Sequence, residues 1–228
     1  MIATRSPGNT PLDPDELDGL IPDLSLKREL DEFERNNILD GYNWALSPRR
    51  LRFRDPLREP YVRELHRRMF DQTWEWAGRY RNTEKKIGAL VHEIRSSIPV
   101  LLGDAQYWHA NKTYAIDEVA VRVHNRLVWI HPFPNGNGSH ARLLADVVAV
   151  KYGSTPLTWG RIDIAAIGPA REAYLAALRI ADNNEFQDLL AFARASMVHS
   201  RVSPASWHLR FPFKKPAGRI FALGPTVP

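Results

Sequence analysis

One segment of the sequence, residues 131–142, concentrates side chains that can bind and act on an anion. Gly136 and Gly138 permit a left-handed backbone and let a ligand approach bare amide groups. The helical pattern that follows would present its unpaired N-terminal amides at the same place. Asn137 can donate its amide to an anionic oxygen, and Arg142 lies one helical turn beyond Gly138, where it can reach a second phosphate. The segment is therefore predicted to be an anion-binding loop.

A histidine opens this segment. His131 lies five positions before Gly136, so it can face the same anion, and an imidazole titrates near neutral pH, as a general base should. Taken singly, these features have ordinary explanations, since a Gly-x-Gly sequence before a helix is often a turn and a lone histidine or Phe133 often belongs to the core. In combination, a base, an amide-lined loop and a cation are typical of an enzyme that transfers a phosphorus group.

The elements that would hold this loop are helices. Apolar residues recur at helical spacing in seven stretches, the first of which has Ser25 as its N-cap. The helical period is lost over residues 79–94, around Gly88, which predicts one short β-hairpin. The fold is thus predicted to be mostly α with a single hairpin. The predicted helices are residues 27–45, 61–76, 97–112, 117–129, 139–152, 164–180 and 183–197.

Composition divides the chain into three parts. Residues 1–24 are rich in Pro, Asp and Gly and predict an extended lead-in, and residues 25–198 predict one domain. Residues 199–228 are basic, rich in proline and without period, so we expect this tail to be poorly ordered. The tail contains five basic residues and no acid, which accounts for the whole net charge of +5. Because this charge lies outside the helical pattern, no nucleic-acid partner is expected.

Two features that the sequence lacks exclude further classes of protein. The chain has no cysteine, which excludes disulfides, thiolate nucleophiles and cysteine-bound zinc. The apolar run at residues 143–150 is far shorter than the roughly 18 residues that a membrane span requires, and no signal peptide opens the sequence. A cytoplasmic protein that does not bind membranes is expected.

Residues 131–142 resemble the signature of the Fic family, also called Fido, which reads H-x-F-x-[D/E]-G-N-G-R-x-x-R. Asn135 stands in place of the acid and Ser139 in place of the first arginine. Residues 74–81 and 86–88 resemble the entry into the family's substrate-docking hairpin, the flap. The acidic lead-in, residues 159–160 and residues 181–183 are similar to the subgroup called mobile mystery protein B. The positions that match the signature are His131, Phe133, Gly136, Asn137, Gly138 and Arg142.

The resemblance implies transfer of AMP from ATP to a Ser, Thr or Tyr hydroxyl of a target protein. It makes His131 the general base, gives the α- and β-phosphates to Asn137 and the amides of residues 136–139, and gives the terminal phosphate to Arg142. Phe133 would anchor the loop. Alternatives are a degenerate Fic domain that binds nucleotide or a partner without turnover, and a phosphotransferase of the same fold. The resemblance further implies that the flap docks the target, through Arg81, Lys85, Lys86, Ile87 and Gly88.

The two departures weaken the implied site. Asn135 offers a carbonyl oxygen but no charge, so Mg²⁺, which the motif acid would bind, should be held weakly. Ser139 cannot neutralise a phosphate, and the loss of one such contact typically costs about 2–4 kcal/mol of transition-state stabilisation.

Regulation is also implied. Many family members carry an inhibitory helix with the pattern [S/T]-x-x-x-E-[G/N], whose glutamate pairs with the second motif arginine. Ser25 and Glu29 match this pattern, although Leu30 stands in its last position. Glu29 would then compete with a phosphate for Arg142. A separate antitoxin-like partner is the alternative means of control.

Overall fold

The computed structural model describes residues 14–24, 26–159 and 168–195, and within these ranges the chain is helical with short connections. No strand occurs in the described ranges, and one isolated bridge joins Leu20 to Trp74. The prediction of a mostly α fold is therefore confirmed. The helices are α1 (Pro14–Leu17), α2 (Lys27–Ala45), α3 (Pro48–Phe53), α4 (Glu59–Phe70), α5 (Val91–Ala110), α6 (Ile116–Ile130), α7 (Asn137–Lys151), α8 (Pro169–Ala181) and α9 (Gln187–Arg194).

None of the described helices combines the length and the apolar character that crossing a membrane requires.

Helices α6 and α7 form the centre of the domain. They pack on each other along their length, and α4, α5 and α9 cover them. The largely apolar run at residues 143–150, which includes Asp146, becomes the body of α7, and most residues of this helix are buried. Residues 131–136 join the two central helices, so the predicted loop emerges directly from the most rigid part of the fold.

Helix α2 packs along α4 and fixes the segment that follows it. Gly41 permits this approach, because a Cβ there would lie 2.6 Å from Cγ of Met69. Asn37 is buried between the two helices, and its Oδ1 accepts hydrogen bonds from the Gln72 amide (3.1 Å) and the Thr73 hydroxyl (3.2 Å). The end of α4 and residues 71–76 are therefore held against α2.

Most of the predicted helices are present, with shifted ends. Helix α2 coincides with the predicted range, whereas α5 begins at Val91 rather than at residue 97. Its earlier start has a local cause, since the Leu90 amide donates to the Glu93 carboxylate (3.2 Å) and so caps the first turn. Helix α3 was not predicted. Pro48 stops α2, but it also occupies the first position of α3, where its missing N–H costs nothing.

The described part of the lead-in is folded rather than extended. Helix α1 is one turn long, and Glu16 within it is only 6% exposed. The backbone oxygen of Glu16 accepts from the indole of Trp76 (2.9 Å), and the amide of Ile21 donates to the oxygen of Thr73 (2.9 Å). A single turn leaves too short a pattern to be recognised in the sequence, which explains the difference. Residues 1–13 and the tail 199–228 lie outside the described residues, so the boundary at 198 stays a prediction.

The β-hairpin predicted for residues 79–94 is absent from the described structure. Residues 79–90 form an irregular loop, and α5 begins directly after it. Its backbone pairs with the central loop instead of with itself: the Arg81 amide donates to the Pro132 oxygen (2.9 Å), and the Ala89 amide donates to the Ile130 oxygen (3.2 Å). We keep the name flap for residues 79–90.

Candidate active site

His131 lies at the C-terminal end of α6 in a left-handed conformation, with φ 53° and ψ 57°. Its amide donates to the Leu127 oxygen (3.1 Å), which closes the helix, and its side chain is largely buried, the residue being 7% exposed. Left-handed backbone is uncommon for a residue with a Cβ and often marks a functional position.

The loop then turns at Gly136, which begins α7 with φ 73°. Only glycine fits there, because a Cβ would lie 2.3 Å from Cζ of Phe70. The first helical hydrogen bond of α7 runs from the His140 amide to the Gly136 oxygen (2.9 Å). The amides of residues 137–139 have no acceptor among the described residues, so this helix end presents three N–H groups. This is the amide cradle that the sequence predicts.

Asn137 has a different role from the one expected. Its Oδ1 accepts from the Phe133 amide (2.9 Å), and its Nδ2 donates to the Phe133 oxygen (2.8 Å). The side chain is 3% exposed and clamps the loop on itself rather than pointing a free amide at a ligand. We therefore assign the contact with an anion to the backbone amides, and the shape of the loop to Asn137.

His66 of α4 is a site residue that sequence reasoning missed. Its Nδ1 accepts from the Gly78 amide (3.0 Å), so its Nε2 carries the proton and donates to the Asn135 oxygen (3.1 Å). The ring stacks on Phe133 with centroids 3.7 Å apart, and the residue is 0% exposed. In α4, buried residues lie one helical turn before His66 and one helical turn after it. From this spacing the sequence could have predicted that His66 belongs to the core.

Arg142 lies beside the amide cradle. Its Nη2 donates to the Ser139 hydroxyl (3.1 Å), and a Cβ at Gly138 would be 3.6 Å from its Nη1. The guanidinium also lies over the ring of Tyr174, at 5.8 Å from its centroid. The structure thus brings Arg142, Ser139 and the loop glycines together, as predicted.

The electrostatics keep His131 neutral. Burial lowers its pKa to about 4, a hydrogen bond with the Val128 backbone acts in the opposite direction, and the charges of Arg81 and Lys85 lower the pKa further. At neutral pH the imidazole is therefore unprotonated and can accept a proton. Phosphates bound at the cradle would raise this pKa, because a nearby negative charge favours the imidazolium.

Acid should destabilise the fold through its buried histidines. Burial lowers the pKa of His131 and His140 to about 4 and that of His124 to about 3, and it also lowers the pKa of His66 well below its usual value. The unfolded chain takes up protons from about pH 6.5, so stability is lost as pH falls from there towards the folded values, by about 1.4 kcal/mol per pH unit for each histidine. Asp146 offsets the contribution of one histidine to this loss of stability. Burial raises the pKa of its carboxyl to about 7, so the folded chain takes up this proton at a higher pH than the unfolded chain does.

Urea unfolding at about pH 7, 6 and 5 measures this effect. The free energy of unfolding should fall steeply between the two lower pH values. A variant at the exposed His92, His92→Asn, is the control and should follow the parent. A free energy that is flat between pH 7 and 5 would contradict the expectation.

The flap residues predicted to dock a target divide into two groups. Arg81 and Lys85 face inward: the side chain of Arg81 is 0% exposed and that of Lys85 is 4% exposed. Lys85 forms an ion pair with the buried Glu16. Lys86 and Ile87 are exposed, and Gly88 is exposed beside His131. Of these five residues, only Lys86, Ile87 and Gly88 can contact another protein directly.

The structure does not bring the inhibitory candidates to Arg142. Glu29 uses its Oε2 to accept from the Leu26 amide (3.1 Å), which caps α2, and no ion pair joins it to Arg142 among the described residues. Ser25 lies outside the described residues. A glutamate three residues after a helix start commonly caps that helix, and this accounts for the local pattern.

The residues present do not fit a Mg²⁺ ion held by the protein. Asn135 supplies a neutral side chain where the motif has an acid, and its backbone oxygen accepts from His66. The described ranges contain no group of three or more His, Asp or Glu side chains that could hold a metal ion. Mg²⁺ is held most strongly by anionic oxygen ligands, which this position lacks, so we derive no step through Mg²⁺.

Fold and site together define an α-helical protein in which a histidine and a candidate anion-binding loop join the two central helices. This chain matches the model of the Fic/DOC family over residues 56–149. The protein adenylyltransferase fic-1 of Caenorhabditis elegans is 31% identical to it over 148 residues, which cover 62% of this chain and 27% of the relative. The chain thus spans about a quarter of the length of that curated relative.

Solved structures show the same fold. Fic-1 from C. elegans superposes with a TM-score of 0.52 at 24% identity, covering 78% of this chain and 51% of that one. The BepC effector of Bartonella tribocorum, solved with bound AMPPNP, superposes with a TM-score of 0.57 at 19% identity, covering 80% of this chain and 97% of that one. At these identities the likeness concerns the fold.

Proposed function

We propose that the protein is a Fic-type protein adenylyltransferase, which transfers AMP from ATP to a Ser, Thr or Tyr hydroxyl of a target protein. One observation carries the proposal. His131, whose imidazole is neutral, and Arg142 both lie beside a loop that ends in three amides without acceptors among the described residues. The adenylyltransferase name of the C. elegans relative and the ATP analogue bound to BepC support ATP as co-substrate.

In the proposed reaction the target hydroxyl attacks the α-phosphorus of ATP. His131 accepts the hydroxyl proton, a bond forms between the hydroxyl oxygen and the α-phosphorus, and the bond to the β-phosphate oxygen breaks, so that pyrophosphate leaves. The amides of residues 137–139 donate to phosphate oxygens, which they can do without rearrangement because α7 already holds them. Arg142 pairs with the terminal phosphate.

The target is proposed to bind across the outer flap. Lys86 and Ile87 are exposed there, Ile87 by 54%, and Gly88 next to them adjoins His131. A peptide lying over these residues would bring its hydroxyl towards the imidazole.

A second candidate function is nucleotide binding without turnover. Ser139 and Asn135 favour it, because neither supplies the charge that the corresponding motif residue would. The backbone amides of the cradle and the guanidinium of Arg142 do not require a charged side chain at either position. A phosphotransferase of the same fold would use the same loop but would move the terminal phosphate.

Radiolabelled ATP separates these functions. Incubation of the full chain with a cell extract should transfer label from the α-phosphorus of ATP to protein, and no label from the γ-phosphorus beyond that seen in the extract alone. Transfer of the γ-label would establish the phosphotransferase. Calorimetric binding of ATP with neither label transferred would establish the binding protein, and the absence of both binding and transfer would reject all three.

Three further assignments belong to this proposal. We place the chain in the mobile mystery protein B subgroup on the similarity of residues 159–160 and 181–183. A cytoplasmic location follows from the proposed use of ATP. Because Glu29 caps its own helix, an antitoxin-like partner is the proposed means of restraint, as in toxin–antitoxin pairs.

A further inference from the structure

Arg81 of the flap is fastened to the backbone of His131. Its Nε donates to the His131 oxygen (2.7 Å), its Nη1 to the Thr83 oxygen (2.9 Å) and its Nη2 to the Ala89 oxygen. The side chain is 0% exposed, and the Glu84 carboxylate lies 3.7 Å from its Nη1. A buried guanidinium that satisfies three carbonyls in one geometry holds all three peptides in fixed orientation.

The same residue also holds the next peptide of the loop. The main-chain amide of Arg81 donates to the Pro132 oxygen (2.9 Å), so the consecutive carbonyls of His131 and Pro132 both accept from Arg81. On the helix side, the His131 amide is bound to the Leu127 oxygen. Both peptide groups of His131 are therefore held, in a backbone conformation that few residues with a Cβ adopt.

The flap also lies close to the side chain of His131. Gly88 has φ 103°, and a Cβ there would lie 2.6 Å from Cβ of His131 and 3.0 Å from Nη2 of Arg81. Gly88 therefore limits the space open to the imidazole. The contact of Arg81 with the His131 carbonyl fixes the backbone from which the imidazole projects.

We propose that Arg81 is a positioning residue for His131, and that it acts through the His131 carbonyl instead of contacting the target. This inference rests on the proposed function in that His131 is the general base. Reaction rates fall by about a hundred-fold when a reacting group is misplaced by roughly 1 Å, so loss of the guanidinium fork should act on turnover more than on nucleotide binding.

Arg81→Lys is the sharpest test, because it keeps the positive charge and removes the fork. We expect kcat for target labelling to fall by about a hundred-fold, with ATP affinity within about three-fold of the parent. Arg81→Ala should cause a similar loss and should also raise the pKa of His131, since one of the charges that lower it is gone. Circular dichroism verifies that each variant is folded.

Arg63→Ala is the matched control. Arg63 belongs to the same region, since its Nε donates to the Gly78 oxygen (3.0 Å) and its guanidinium lies 5.5 Å from the ring centroid of Tyr80, but none of these contacts involves His131. We expect it to change kcat by less than about three-fold. Gly88→Ala is a second test. It should lower kcat as Arg81→Lys does, because the added Cβ displaces His131 while the arginine at position 81 is kept.

The NMR signals of the His131 imidazole provide a readout without activity. They should move in Arg81→Lys and not in Arg63→Ala. If the parent labels no target, the proposed function fails, and the same shift still supports the positioning role. Unchanged signals and unchanged kcat in folded Arg81→Lys would overturn it. If both Arg81 variants unfold, Gly88→Ala decides: a lowered kcat supports control of His131 by the flap, and an unchanged kcat overturns it.

Discussion

Replacement of His131 by alanine is expected to abolish AMP transfer while leaving ATP affinity within a few-fold of the parent. A general base accounts for about 10²–10⁴ in rate. The neighbouring groups are poor replacements, because Arg81 and Lys85 are cations and the imidazoles of His66 and His140 are 0% exposed. ATP binding should persist because it depends on the α7 amides and Arg142.

Initial rates of labelling and calorimetry measure the two quantities separately. His92→Ala removes an exposed histidine of α5 and should leave both unchanged. The parent should also keep a flat kcat/KM between about pH 8 and 6.5, because the free enzyme's base has its pKa near 4. A His131→Ala variant that labels as fast as the parent would show that the target hydroxyl needs no base from this residue.

The central part of this architecture could be read from local pattern. The apolar period of residues 27–45 predicts α2, and the helical pattern of residues 139–152 predicts most of α7. The glycines and the histidine identify the loop because their chemistry is local: positive φ at Gly136 and amides at a helix start depend on neighbours in sequence.

The parts that could not be predicted depend on contacts distant in sequence. Arg81 was expected to face a target, but its partner His131 lies 50 residues further on. Glu16 was placed in an extended lead-in, but its carboxylate pairs with Lys85, 69 residues away. A charged residue carries no sign of burial in its own neighbourhood, since burial requires a partner that only the fold supplies.

The flap shows how such contacts override a local signal. Loss of helical period around Gly88 favours a hairpin, and two strands would pair the carbonyls of residues 83 and 89 with backbone amides. Arg81 instead donates to both carbonyls. The contacts of the guanidinium with these two carbonyls hold the flap as an irregular loop.

Ser139→Arg should raise turnover by about ten- to a thousand-fold. In the Fic signature an arginine stands at this position, in the first turn of the helix that begins at the phosphate cradle. A cation there would stabilise charge that develops on the leaving phosphates, and one such contact is worth about 2–4 kcal/mol. The present serine only accepts a hydrogen bond from Arg142. Lys85 of the flap forms an ion pair with Glu16.

Two control variants separate charge from size. Ser139→Gln fills similar space without charge and should give no gain. Ser139→Ala removes the hydroxyl that Arg142 contacts and should lower ATP affinity slightly, since the guanidinium loses one of its fixed partners. An increase common to Gln and Arg would mean that side-chain size, and not charge, limits the reaction.

The result also decides between the two candidate functions. If Ser139→Arg converts a chain that binds ATP without labelling into one that labels a target, then the loop, His131 and the flap are intact and the missing charge alone explains the inactivity. If ATP binding is retained and turnover does not rise, another cation already occupies the place, and Lys86 on the exposed flap becomes the residue to replace. Lys86→Ala should then lower turnover in the parent and be neutral in Ser139→Arg, because two cations that serve the same phosphate are not additive.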